Sequence, residues 1–216
     1  LGPRERRERE REEIRTRILD AARDLFLAEG YDAVTMRRIA DRIEYSPTAI
    51  YFHFRDKDAL IRELCDTDFR TLAQQFTAIS AITDPVERLR RTGLAYAEFA
   101  ANFPNHYRLM FMTPHPPMDP ELTNIAQGDP QEDAYAFLKH VVSECIKSGR
   151  VRKEFADEEL MSQTMWAGVH GVVSLQIAKC NDPWVQWRPI RKRVESMIDT
   201  LLGGMLVEDR RPRLSK

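Results

Sequence analysis

The chain has 216 residues, 43% of them hydrophobic and 31% charged, with 33 Lys+Arg against 34 Asp+Glu and a net charge of −1. That is the balance of an ordinary globular protein, and it excludes a broad basic field as a means of holding nucleic acid, because residues 1–65 carry 14 basic and 14 acidic side chains and are neutral as well. The most apolar stretch, Met165 to Ala178, is interrupted by His170 and Gln176 and falls short of the ~20 residues of a membrane span; no basic start followed by an apolar run suggests a secretory leader, so no membrane and a cytoplasmic location are expected.

Helical spacing dominates from the start, and with nine glycines and no sustained alternation no strand is predicted. The run Arg4 to Glu13 offers nothing apolar to bury. It either extends the first helix through salt pairs or stays solvated, and a mobile charged arm over 1–13 is the expectation. Ile14, Ile18, Ala22, Leu25 and Phe26 then mark one helical face, ended by Gly30. Thr35 is placed to cap a short second helix carrying Met36, Ile39, Ala40 and Ile43. Ser46 and Pro47 open a third, with Ile50 and Phe54 turned inward.

A long stripe follows through Leu60, Leu64, Phe69, Leu72 and Phe76. After Asp84-Pro85 the spacing predicts a helix through Leu89, Tyr96 and Phe99, a break at Asn102-Phe103-Pro104, and a short amphipathic piece with Tyr107, Met110 and Phe111. The proline-rich stretch from Pro114 to Pro130 reads as a mobile loop. Helices are expected over about 130–148, 157–179 and 189–206, with a tail over 207–216. Cys65, Cys145 and Cys180 are too far apart in sequence to suggest a zinc knuckle or disulfide framework. Neither His140 nor His170 has a partner at metal-ligand spacing, and no cofactor, metal or catalytic set is predicted.

Two short helices with a tight connection, set behind a supporting helix, suit a DNA major groove: the first crosses the backbone and the second presents side chains to base edges. Thr48 and Ala49 are small enough for close approach and carry methyls that can meet a thymine. Tyr51, His53 and Lys57 suit phosphate oxygens.

Thr35-Met36-Arg37-Arg38-Ile39-Ala40, Ser46-Pro47-Thr48-Ala49-Ile50-Tyr51-Phe52-His53-Phe54 and Arg55-Asp56-Lys57-Asp58-Ala59-Leu60 together resemble the DNA-binding domain of the TetR family. The resemblance implies phosphate contacts from Thr35, Tyr51 and Lys57. It places Arg37, Ser46, Pro47, Thr48, Ala49 and Phe52 at or near the groove, with His53 supporting the turn or the backbone contact. The family commonly has Gly in the turn where this chain has Glu44-Tyr45; a left-handed non-glycine there costs roughly 1–2 kcal/mol. Trp166-Ala167-Gly168-Val169-His170-Gly171 resembles a C-terminal subgroup marked by a Trp…His-Gly motif.

The expected architecture is all-α: a helix-turn-helix domain over 14–57 and a larger bundle over 58–206 that binds a ligand and dimerises. Candidates for an apolar ligand cavity are Phe69, Tyr96, Phe99, Phe103, Tyr107, Phe111, Phe137, Met165 and Trp166, with His140 and His170 as polar handles; each aromatic is alternatively a core residue. The helix from Asp157 is apolar all round in its second half and must be covered on both sides. Val169, Val172, Val173 and Ile177, with Val194, Ile198, Leu201, Leu202 and Met205 on the last helix, are therefore the expected homodimer face.

The function implied is a repressor released from a pseudo-palindromic duplex DNA operator by a small hydrophobic or aromatic effector. An activator, a regulator answering to a protein partner, a helical-bundle enzyme and a structural module are the alternatives.

Overall fold

The computed structural model describes residues 2–117, 119 and 121–207. Nine α-helices are described: α1 (Pro3–Glu29), α2 (Met36–Arg42), α3 (Pro47–His53), α4 (Lys57–Thr77), α5 (Pro85–Asn102), α6 (Pro104–Phe111), α7 (Ala134–Lys147), α8 (Glu158–Lys179) and α9 (Ile190–Met205), with one 3₁₀ turn at Lys153–Phe155. The described residues form no strand beyond an isolated bridge between Val151 and Leu206. Apart from Val207, the expected tail over 207–216 lies outside the described residues, as do Met118 and Pro120 of the expected loop.

The chain divides into two compact units. One holds the residues through Thr71 together with Phe103–Gln127. Its core joins Ile18, Ala22 and Phe26 of α1 to Ile39 of α2, Ile50 of α3 and Leu60 of α4, all essentially inaccessible. Burying side chains of this size contributes about 1.5–3 kcal/mol each, which is what holds helices as short as α2 and α3 in place, since neither would persist alone.

Helix α1 differs from the expectation of a mobile arm, because residues 3–13 are helical. Pro3 opens the helix, and the Glu5 carboxylate accepts from the Gly2 amide at 3.0 Å. Arg6–Glu10 at 2.9 Å and Arg9–Glu13 at 3.9 Å then support successive turns. Residues added to a helix already nucleated by a buried face need no nucleus of their own.

The proline-rich segment also departs from expectation. It has no helix, but it is tied down: the buried Asp66 carboxylate accepts from Thr123 Oγ1 at 2.7 Å and from the Asn124 amide at 2.9 Å, while Arg70 Nη2 donates to the Asn124 carbonyl at 3.1 Å. A buried carboxylate needs such donors.

The second unit holds Leu72–Asn102 and the residues from Gly128 onward. Helices α5, α7, α8 and α9 pack against one another. Gly93 sets one close approach: a Cβ there would lie 2.7 Å from Ile198 Cδ1 and 3.3 Å from Val169 Cγ2. Helix α7 starts at Ala134, later than the predicted 130, because Asp133 is its cap and accepts from the Tyr135 and Ala136 amides. The chain after α9 closes on the α7–α8 connection, with the Arg152 amide donating to Met205 O and the Val207 amide to Arg150 O, both at 2.9 Å.

Candidate functional site

Helices α2 and α3 are each fixed at the start by a hydroxyl. Thr35 Oγ1 accepts from the Arg38 amide and Ser46 Oγ from the Ala49 amide, each at 3.2 Å; such caps typically stabilise a helix by about 1 kcal/mol. Between them the chain turns through Glu44, whose φ is +61°. Tyr45 N donates to Ala40 O at 3.0 Å and Glu44 N to Asp41 O at 3.3 Å. This is the paired closure of a helix that ends on a left-handed residue. Glu44 thus occupies the glycine position without being glycine, and the turn keeps its shape at the expense of strain. Arg17 steadies it, donating to Ile43 O at 3.3 Å and lying 5.2 Å from the Tyr45 ring centre.

Ile50 is fully buried, so α3 has one inward and one outward face. Outward stand Ser46, Pro47, Thr48, Tyr51 and Phe52, with Ala49 half-buried. An aromatic ring 72% exposed at Phe52, beside Tyr51 at 54%, is a large apolar surface left in water next to small polar groups. Arg37 on α2 is exposed and makes no ion pair among the described residues.

Lys57 is placed differently from its expected role. Its Nζ donates to Tyr31 O at 2.7 Å and Val34 O at 3.0 Å and sits 4.1 Å from the Tyr31 ring centre. With two of three donors spent on backbone carbonyls, it ties the loop between α1 and α2 to the start of α4. Tyr31 is buried, and its hydroxyl donates to Asp58. Burial, then that carboxylate, push its pKa up.

His53 ends α3. Its backbone carbonyl accepts from Arg15 Nη1 at 3.2 Å, and Arg15 also pairs with Glu63 at 2.7 Å and lies 4.3 Å from the Phe54 ring centre. The His53 Nδ1 is buried and unpartnered among the described residues. Burial, then Arg11 and Arg15, lower its pKa, so the ring is neutral near pH 7. Sequence reasoning missed Arg11, Arg15 and Tyr31. Arg11 and Arg15 share the spacing of Ile18 and Ala22, the signal that could have found them.

The residues expected around a ligand fall into both units. In the first, Phe69 meets Phe111 edge-on at 5.5 Å, Tyr107 is fully buried against Phe111 at 4.9 Å, and Phe103 lies beside His106. In the second, Trp166 Nε1 donates to Tyr96 Oη at 3.0 Å, and that hydroxyl is 3.2 Å from His170 Nδ1. Phe99 and Met165 are buried, and Phe137 is buried against Phe76 at 5.5 Å, as core residues are. His140 does not join them: it is exposed on α7, 3.6 Å from Glu144.

The expected dimer face needs the same correction. Val169, Val173, Val194, Ile198, Leu202 and Met205 are at most 5% exposed within the single chain, taken up by contacts among α5, α8 and α9. Val172, Ile177 and Leu201 remain half-exposed, and Leu160 and Leu175 on α8 are exposed. A period of 3.6 could not say which flank of an all-apolar helix meets its own core.

A profile described as "Bacterial regulatory proteins, tetR family" matches residues 18–64, which contain α2, α3 and their capped turn. One described as "Tetracyclin repressor-like, C-terminal domain" matches residues 89–201. The chain belongs to the TetR family. The transcriptional repressor Rv1474c of Mycobacterium tuberculosis is 48% identical to this TetR-family chain over 59 residues, 27% of this chain and 32% of the relative. The transcriptional activator FasR of Mycolicibacterium smegmatis is 33% identical over 102 residues, 47% of each chain. The matches thus span about a third to a half of these curated relatives. The solved structure of a SmeT–triclosan complex superposes with a TM-score of 0.69 at 19% identity, covering 90% of this chain and 92% of that chain, and shows the same all-α fold. Members of the family are DNA-binding transcription regulators, not enzymes. No described helix is long and apolar enough to cross a membrane.

Proposed function

We propose that the chain is a repressor that binds a pseudo-palindromic operator as a homodimer and is released by a small hydrophobic or aromatic effector. The observation that carries the reading is the outward face of α3. Thr48 and Tyr51 are exposed behind a Ser46 cap, on a helix anchored by the buried Ile50. In this reading residues 14–57 are the DNA-binding domain and α3 enters the major groove. Thr48 and Ala49 meet base edges, with Arg37, Ser46, Pro47 and Phe52 at or near the groove, while Thr35 and Tyr51 hold phosphates. Lys57 and His53 act indirectly, by fixing the frame.

The remaining bundle takes the effector. The Trp166–Tyr96–His170 hydrogen-bonded set is its polar handle among aromatic neighbours. SmeT, with the same fold, is seen with triclosan. The outer flank of α8 and α9, with Leu160, Val172, Leu175, Ile177 and Leu201, forms the two-fold contact. An effector that prefers one helix arrangement lowers operator affinity by no more than its differential affinity for the two states.

Polarisation measurements on the chain's own upstream DNA test this. Binding at least about 10³-fold tighter than to random duplex at matched salt is expected, together with its loss in Thr48→Arg. Equal affinity for the two duplexes would sink the reading.

A further inference from the structure

The neutrality of the first 65 residues conceals a sorting of charge by face. Ile18 and Ala22 are the fully buried positions of α1. Stepping towards the N-terminus by three or four residues from Ile18 gives Arg15, Arg11, Arg7 and Arg4, one continuous stripe on the core-facing side. The other arginines of this segment, Arg6 and Arg9, lie on the opposite side and are paired with Glu10 and Glu13. Glu5 and Glu12 fall well away from the stripe at 100° per residue; Glu8 lies at its edge, about 20° from Arg15, and forms no ion pair among the described residues.

The stripe leaves the core beside α3. Arg15 donates to the carbonyl of His53, and the Arg11 guanidinium lies 5.5 Å from the centre of the exposed Phe52 ring. Arg7 and Arg4 continue the same line for about 10 Å beyond Arg11. Both are exposed, and neither has an acidic partner among the described residues.

We infer that Arg4, Arg7 and Arg11 form a second DNA-contact element, a helical rail that holds duplex phosphates flanking the segment read by α3. The inference rests on the DNA-binding reading and extends it. Its occupant is set by charge and continuity. Three arginines on one face, adjoining the exposed α3 aromatics, fit a row of phosphates, and guanidinium groups bind phosphate by paired hydrogen bonds. A chain with no net basic field obtains its phosphate contacts this way, by segregating them.

The test compares charge-matched pairs on the full chain. Arg4→Gln/Arg7→Gln removes two stripe charges and leaves Arg11 on Phe52; Arg6→Gln/Arg9→Gln removes two from the opposite face. Affinity for the upstream duplex is measured against salt, with full flanks and with flanks trimmed to the α3-read segment. For the stripe pair, the slope of log affinity on log salt falls by about 0.9 per arginine lost in each protomer, and trimming the flanks weakens wild type but not this variant. The opposite-face pair keeps the wild-type slope. Equal slopes for the two pairs, or a stripe pair identical to wild type, overturn the rail while specific binding by wild type stands. Wild type binding its own upstream duplex no better than random duplex overturns the DNA reading, and the rail with it.

Discussion

Arg23 and Asp68 form a two-pronged ion pair inside the first unit, Nη1 to Oδ2 at 2.5 Å and Nη2 to Oδ1 at 2.9 Å, joining α1 to α4. Both residues are buried, Asp68 to 1% exposure. His106 of α6 adds its Nδ1 to the same carboxylate at 2.7 Å, so three helices meet on one charge. Removing Asp68 leaves Arg23 buried without its carboxylate, and removing Arg23 leaves the buried Asp68 without its two-pronged partner, with only the His106 contact. Arg23→Met or Asp68→Asn is expected to lose about 3–5 kcal/mol of unfolding free energy, read from urea midpoints. Arg23→Met/Asp68→Leu should recover most of that, because the desolvation penalty goes with both charges. Single variants as stable as wild type would show that the pair has no such role.

Glu44 holds the turn between α2 and α3 at φ +61°, where a side chain is strained. Glu44→Gly is therefore expected to raise stability by about 0.5–1 kcal/mol, the relief of strain exceeding the extra freedom glycine gives the unfolded chain. Glu44→Val should instead cost more than it relieves, since a β-branched residue tolerates positive φ worst. A glycine variant less stable than wild type would contradict the assignment of strain.

How far the sequence revealed this structure follows from which forces act locally. Thr35, Ser46 and Pro47 announce helix starts because capping is decided within four residues. The strain at Glu44 was legible for the same reason. Lys57 was not: its carbonyl partners at residues 31 and 34 lie across a loop whose path no periodicity gives. The charge count over residues 1–65 gives a neutral composition, whereas a helix sorts charges by angle. The six buried α8 and α9 residues were misplaced because an apolar period marks a helix face without naming what covers it.

Lys57 offers a direct distinction between a structural and a phosphate-binding lysine. Lys57→Met leaves the Tyr31 and Val34 carbonyls without that donor and is expected to cost about 1–3 kcal/mol of stability. DNA affinity should fall with it, but the salt slope of binding should stay unchanged. A slope lowered by about 0.9 per protomer with stability intact would mean that Lys57 holds a phosphate instead.

At Gly93, α5 closely approaches side chains of both α8 and α9. Val in its place would drive atoms into Ile198 and Val169, both buried and themselves β-branched, which limits how far they can turn aside. The expected loss for Gly93→Val is about 1–3 kcal/mol. Pairing it with Ile198→Ala should restore part of the loss in a double-mutant cycle, and strict additivity of the two changes would refute the contact.

His170 contributes to the pH dependence of the second unit. Burial lowers its pKa below the ordinary 6.5, so its ring is neutral near pH 7 and its Nδ1 can accept the proton of the Tyr96 hydroxyl, which in turn accepts from Trp166 Nε1. As pH falls through 6.5 the unfolded chain takes up this proton first, so stability is fully present above that value and is lost on acidification until the folded-state pKa is reached. His53, lowered by burial and the neighbouring arginines, contributes with the same sign. Asp84 acts in a separate window. Its carboxylate, hydrogen-bonded to Arg150, titrates well below the usual range, and its contribution is lost only as pH falls below about 4. Thermal melts between pH 7 and 5 should therefore show a falling midpoint in wild type and a shallower fall in His170→Gln. A melting profile equally steep in the variant would remove His170 from the cause. An intact Trp166–Tyr96 contact in the variant, followed by tryptophan fluorescence, would show that the proton and not the packing is responsible.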